Sequence, residues 1–272
     1  MNNDNMMQSC VSAPKSVSSR MQIIGPGVIG NILEWFDFSL FGYFSPIISQ
    51  LFFPTSHHFL SLLATFGVFT AGFLMRPVGA ILFGYYGDKY GRKKTLSVAM
   101  WLMAIPTMLM GLLPTHAQIG MTAGILLTLC RLLQGLAVGG EFVGSIIYLI
   151  ELSPANRRGM YGSWLLFSAF IGLLLGSGVG AIVSHILSPE ALSSWGWRVP
   201  FLMGILLGAV GVYLRLRMPE SPSFLGLQHH VHENPIKQAF TTARYPMILT
   251  AGLMVLPTIS FNLLFVYLTS YL

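Results

Sequence analysis

Long apolar runs alternate with short polar connections along the whole chain. Runs lie at about residues 22–50, 58–84, 95–113, 118–149, 161–187, 199–217 and 246–272. Each is close to or longer than the roughly 20 residues a helix needs to cross a bilayer, and none shows the alternation of a membrane β-strand. The pattern therefore predicts seven transmembrane helices, which satisfy their own backbone hydrogen bonds in hydrocarbon. Between the second and third runs, Gly84-Tyr-Tyr-Gly-Asp88-Lys89-Tyr-Gly91-Arg92-Lys93-Lys94 reads as a short polar turn. Four bases so close together cannot be stripped of water, so this turn must lie outside the hydrocarbon.

Composition agrees with that pattern. The chain is 54% hydrophobic and 9% charged, with mean hydropathy +0.68, whereas soluble domains carry about 25% charged residues. The fold class expected is all-α, a polytopic membrane protein, and not an enzyme. The formal charge of +6 does not point to nucleic acid, because the bases sit in the connections between spans. With the N-terminus inside, all of the 15 Lys and Arg except Arg76, Arg131 and Arg198 fall in cytoplasmic segments, Arg215 and Arg217 among them. That asymmetry orients the chain with its N-terminus in the cytoplasm. Cys10 and Cys130 form no disulfide framework.

Residues 1–21 are polar and read as a cytoplasmic tail; the run after them is too long and too acidic for a signal peptide. A six-helix bundle follows over 22–217. The Pro-rich stretch 218–245 reads as a cytoplasmic linker, in which His229, His230 and His232 lack the further ligands a metal site needs. The run 246–272 then reads as the first helix of a second, truncated bundle.

Charges inside the spans mark where function would lie, since each costs about 2.5–3.5 kcal/mol at the bilayer centre. In the first span Gly27, Gly30, Glu34 and Asp37 share one helical face. In the fourth, Arg131, Gln134, Val138, Glu141, Ser145 and Tyr148 recur at 3, 4, 3, 4, 3, a polar stripe expected to line a cavity. At the helix rise of about 1.5 Å per residue, Glu34 lies roughly 18 Å from the inner end of its helix and Arg76 about 12–16 Å from the polar turn. The two are therefore expected to pair, which leaves Asp37 free to take up a proton. In the fifth span Gly172, Gly176 and Gly180 form a packing ridge. Tyr43, Trp195, Trp197 and Tyr213 are expected as interfacial anchors. Glu151, Arg157 and Arg158 after the fourth span, and Glu220 after the sixth, suit an ion-pair network with the basic turn that holds one conformation and breaks in another.

Gly84-xxx-Asp88-Lys89-x-Gly91-Arg92-Lys93 resembles the signature between helices 2 and 3 of the major facilitator superfamily. Arg131-xx-Gln134-Gly135, Glu151-xx-Pro154-xx-Arg157-Arg158-Gly159 and Pro219-Glu220-Ser-Pro222 are similar to its signatures in and after helix 4 and after helix 6. Leu33-Glu34-Trp35-Phe36-Asp37-Phe38, Arg76-Pro77-x-Gly79 and Gln134-Gly135-xxx-Gly139-Gly140-Glu141 resemble the metabolite:proton symporter branch, which includes proline/betaine, 2-oxoglutarate, citrate and shikimate carriers. Ser177 stands where the antiporter signature would continue its Gly-Pro pair, which favours symport over efflux.

The resemblance implies proton-coupled symport of a small polar organic solute, a compatible solute or a carboxylate, across the cytoplasmic (inner) membrane. Its partners would be solute, proton and lipid, with no cofactor or metal. Glu34, Asp37, Arg76, Arg131, Gln134 and Glu141 would serve coupling. Gly84, Asp88, Lys89, Gly91, Arg92, Glu151, Arg157 and Arg158 would serve the cytoplasmic gate. Family members have twelve helices in two halves, so the chain reads as the N-terminal portion. The alternatives are a non-transporting remnant or subunit that needs a second polypeptide, and an uncoupled facilitator. Asp88 is expected to lack a partner that the second half would carry.

Overall fold

The computed structural model describes residues 20–220, 241 and 243–262. Most of the expected tail, the greater part of the linker with its three histidines, and the closing run 263–272 lie outside the described residues. The chain divides into two units, Met1–Gly226 and Leu227–Leu272. In the second, the described helix is Arg244–Asn262.

The first unit is built from α1 (Arg20–Phe52), α2 (His58–Tyr90), α3 (Arg92–Leu112), the short α4 (His116–Ile119), α5 (Thr122–Leu152), α6 (Arg158–Ile186), the single turn α7 (Pro189–Ala191) and α8 (Arg198–Leu216). Among the described residues, five helical segments, ending in α2, α3, α5, α6 and α8, are long and apolar enough to span a membrane. Helix α1 has the length but carries Asn31, Glu34 and Asp37 at its middle.

The basic turn is not a turn. Helix α2 continues through Gly84, Asp88 and Lys89 to Tyr90, and α3 begins at Arg92. The break is confined to Gly91, whose φ of 97° belongs to the region where only glycine is unstrained. Asp88 and Arg92, four residues apart and 2.8 Å from contact to contact, bridge the break.

Three helix pairs make the most extensive contacts: α2 with α5, α1 with α6, and α3 with α8. Small residues set the first two. A Cβ at Gly135 would strike the carbonyl of Gly72, and one at Gly139 the carbonyl of Arg76. On α6, Gly172 and Gly176 lie against the carbonyls of Ile32 and Phe36, so the expected ridge packs on α1. Between the pairs lies an apolar core that includes Leu33, Phe36, Leu40, Phe44, Met100 and Phe201. Trp197 belongs to this core and stacks edge-on against Phe52, so it is no interfacial anchor; Tyr43, Trp195 and Tyr213 are exposed.

Proline in α1 is compensated locally. Pro46 has no N–H for the carbonyl of Gly42, and the Ser45 hydroxyl donates to that carbonyl instead at 2.8 Å.

One ion pair ties four helices together. Arg215 of α8, expected among the cytoplasmic bases, is fully buried. Its Nη1 donates to Glu141 Oε2 at 2.6 Å, and its Nη2 pairs with Glu141 Oε1. Further bonds run to the carbonyls of Leu96 on α3 and Pro26 on α1. Ser145 donates to Glu141 Oε1 at 2.9 Å. Gly30 of α1 faces the pair, where a Cβ would collide with the Glu141 carboxylate and the Arg215 guanidinium.

Two stability predictions follow from the packing. Gly176→Ala must push α6 off α1 and is expected to destabilise by about 1–3 kcal/mol. Gly178→Ala, in open space on the same helix, is expected to be neutral or to stabilise by up to about 1 kcal/mol; thermal unfolding in detergent compares them. By the same measurement, Arg215→Met alone leaves Glu141 buried and unpaired, at a cost of about 3–5 kcal/mol, and adding Glu141→Leu should recover most of that loss.

Candidate functional site

The close approach of α2 and α5 puts Arg76 and Arg131 on either side of one small space, and α1 fills its third side with Glu34 and Asp37. The space amounts to about 30 Å³ and is lined by these four charges together with Gln134 and Phe73, among others. That is room for a water molecule or two. It is too small for an organic solute within this bundle alone.

Asp37 is not free. Its Oδ2 accepts from Arg131 Nη1 at 2.7 Å, and its Oδ1 accepts from Gln134 Nε2 at 2.9 Å and from the Thr107 hydroxyl at 3.0 Å. Gln134 Nε2 also reaches Thr107 Oγ1 at 2.8 Å. The expectation of an unpartnered Asp37 is therefore overturned. Its physical reason is visible in the helix register: Arg131 and Gln134, three residues apart on α5, both reach Asp37 on α1. The Arg131 guanidinium also rests on the Phe41 ring, 3.7 Å from its centroid. Its Nε and Nη2 have no hydrogen-bond partner.

The structure also brings Glu34 and Arg76 together, but loosely. One contact, Nη2 to Oε1 at 3.4 Å, joins them. Glu34 is 4% exposed at its side chain and Arg76 31%. Glu34 Oε2 is buried without a partner. The Arg76 guanidinium lies over the Phe73 ring, 4.2 Å from its centroid.

The polar stripe of α5 does not line one cavity. Arg131, Gln134 and Val138 border it. Glu141 and Ser145, two turns further along, belong to the packed cluster around Arg215, and Tyr148 is buried beside Leu96 and Met218. The stripe runs the length of the bundle and passes through two separate polar clusters.

The gate residues lie at the end of the bundle that holds Gly91, where contacts join Asp88, Arg92, Lys93 and Glu220. Glu220 Oε1 accepts from the backbone N–H of Arg92 at 2.8 Å and of Lys93 at 3.2 Å, capping α3 with a carboxylate where its dipole is positive. Asp88 Oδ1 takes a bond from Arg92, and the Asp88 side chain remains 43% exposed. Lys89 Nζ lies over the rings of Tyr85 and Tyr90. Gly84 is in open space, Glu151 is half-buried at the end of α5, and Arg157 and Arg158 are exposed at the start of α6.

Thr107 and Arg215 are the site residues that sequence reasoning missed. Thr107 is the lone hydroxyl in the middle of the third apolar run, a signal that could have found it. Arg215 is two residues from Arg217, which places the two on opposite sides of a helix, so that one must face inward.

Comparisons with known proteins agree with this architecture. Residues 25–265 match the family described as Sugar (and other) transporter. The chain is 38% identical over 258 residues to the proline/betaine transporter of Salmonella typhimurium, covering 90% of this chain and 51% of that protein. It is 40% identical over 245 residues to the citrate-proton symporter of Klebsiella pneumoniae, covering 89% and 54%. The chain thus spans about half the length of the curated relatives it matches. Its fold superposes on the structure of XylE, a proton:xylose symporter of the major facilitator superfamily, with TM-score 0.69 at 20% identity, covering 76% of this chain and 46% of that one. With a match that runs from residue 25 to residue 265, the chain belongs to the family described as Sugar (and other) transporter.

Proposed function

We propose that this bundle is one half of a proton-coupled symporter for a small polar organic solute, working by alternating access in the cytoplasmic membrane with its N-terminus inside. The observation that carries the reading is a cavity between α1, α2 and α5 bordered by two acids and two arginines, all deep within apolar helices. Charges are kept there at a cost, and intramembrane charges that face a cavity mark solute and proton paths. The relatives named for proline/betaine and for citrate with protons support the same reading.

In this account Arg131, with two unpartnered donors, and Arg76, partly exposed, offer guanidinium groups to a solute carboxylate. Glu34 and Asp37 supply the negative charge that a proton or a cationic group can meet. The opposite wall of the path belongs to a second bundle of comparable size, on the same or another polypeptide, as the share of the relatives spanned by this chain implies. Gly84, Asp88, Lys89, Gly91, Arg92, Glu151, Arg157 and Arg158, with Glu220, form the cytoplasmic gate. The Asp88–Arg92 pair and the Glu220 cap fix the shape of this face at the α2–α3 break, against which a second bundle closes and from which it parts as the bundles rock.

Uptake of labelled glycine betaine, proline and citrate into vesicles containing the protein tests this. An acid-outside gradient should drive accumulation of one of them, a protonophore should abolish it, and Arg131→Gln should cut the initial rate by about tenfold or more, as expected when a charged hydrogen-bond partner worth ~1.5–3 kcal/mol is lost. Uptake that ignores the gradient would make the protein a facilitator.

A further inference from the structure

We infer that Glu34, and not Asp37, is the acid that carries the coupled proton, and that a solute carboxylate loads it by drawing Arg76 away. The inference rests on the symporter reading above and assigns its coupling step.

The three acids within the spans of the bundle differ in how firmly they are held. Asp37 receives donors from Arg131, Gln134 and Thr107. Glu141 receives both arms of Arg215 and the Ser145 hydroxyl. Glu34 has one loose contact to Arg76 at 3.4 Å and a buried oxygen, Oε2, with no partner. Protonating Asp37 would strand a buried guanidinium and a buried amide. Protonating Glu34 releases only Arg76, whose side chain is partly exposed, and the proton lands on an oxygen that now has no bond.

The surroundings of Glu34 support the exchange. Arg76 on α2 touches it, Asp37 on its own helix borders the same cavity, and Glu141 on α5 acts on it electrostatically. Arg131 of α5 borders the same cavity but is engaged by Asp37, and Arg215 of α8 by Glu141. The charged residues of α3 and α6 lie in their end turns. Arg76 is thus the cation that balances Glu34. It is also the arginine of the cavity with the more exposed side chain, carried on a flexible stem and resting on the Phe73 ring.

The step is an exchange of partners. A solute carboxylate accepts from the Arg76 guanidinium, and the contact from Arg76 Nη2 to Glu34 Oε1 opens. Glu34, left without a countercharge in an apolar bundle, takes onto Oε2 one proton that comes from the outside medium and is relayed through the adjoining cavity. No covalent bond other than O–H is made or broken. Solute and proton therefore bind with positive coupling, and each leaves when the other does.

Infrared titration of the protein in lipid nanodiscs tests this, with glycine betaine and citrate as carboxylate probes. The protonated-carboxyl band is expected to disappear in Glu34→Gln, persist in Asp37→Asn, and grow when either probe is added to the wild type. Probe affinity in the wild type should fall roughly tenfold per pH unit on the alkaline side, since one proton enters with the solute, and should be independent of pH in Glu34→Gln. A band that survives Glu34→Gln, or is lost in Asp37→Asn, overturns the assignment. A Glu34 band that neither probe moves overturns the exchange. The symporter reading itself stands or falls separately, on gradient-driven uptake in the wild type.

Discussion

A charge inside an apolar bundle must find its partners within the bundle, and this constraint organises the structure. The helices could pack by small residues and apolar side chains alone, as α1 and α6 do along Gly172 and Gly176. Charges are nevertheless placed at two depths, and at each the surrounding helices are drawn to within hydrogen-bond reach of them. Around Arg215 this gives a knot that joins α1, α3, α5 and α8. Around Arg131 it gives a network that joins α1, α3 and α5.

The two clusters do different work because they are satisfied to different degrees. The Arg215 knot has no exposed member, so it fixes helix positions. The Asp37 network borders a small cavity yet is closed on its acid side. What remains adjustable is the single contact between Glu34 and Arg76 at the edge of that cavity. In the proposed symporter the two kinds of site would divide the work: locked pairs keep the bundle in one piece, and an exchangeable pair changes state when ligands arrive.

The helical periods, the facing of Glu34 and Asp37, the Gly ridge of α6 and the depth match of Glu34 with Arg76 were all legible in the sequence. They depend on rise and rotation along one helix, which spacing encodes. The partners of Asp37 were not legible, because Arg131 lies 94 residues away and only the approach of α5 to α1 decides which acid it meets. Arg215 was misplaced among the loop bases because charge counting treats a residue in the last turn of a helix as solvated, while the burial of that turn is a tertiary fact. The polar turn proved to be helix on both sides of Gly91, since an i,i+4 ion pair and a glutamate cap can carry helical structure through a strongly charged stretch.

The central claim is that the two acid–arginine pairs at the cavity differ in strength, one locked and one exchangeable. Paired double-mutant cycles measure this most directly, by unfolding the protein with Asp37→Asn, Arg131→Gln and their combination, and with Glu34→Gln, Arg76→Gln and theirs. The account predicts a coupling energy of about 2–3 kcal/mol for Asp37 with Arg131 and below about 1 kcal/mol for Glu34 with Arg76. Equal couplings, or the reverse order, would contradict it.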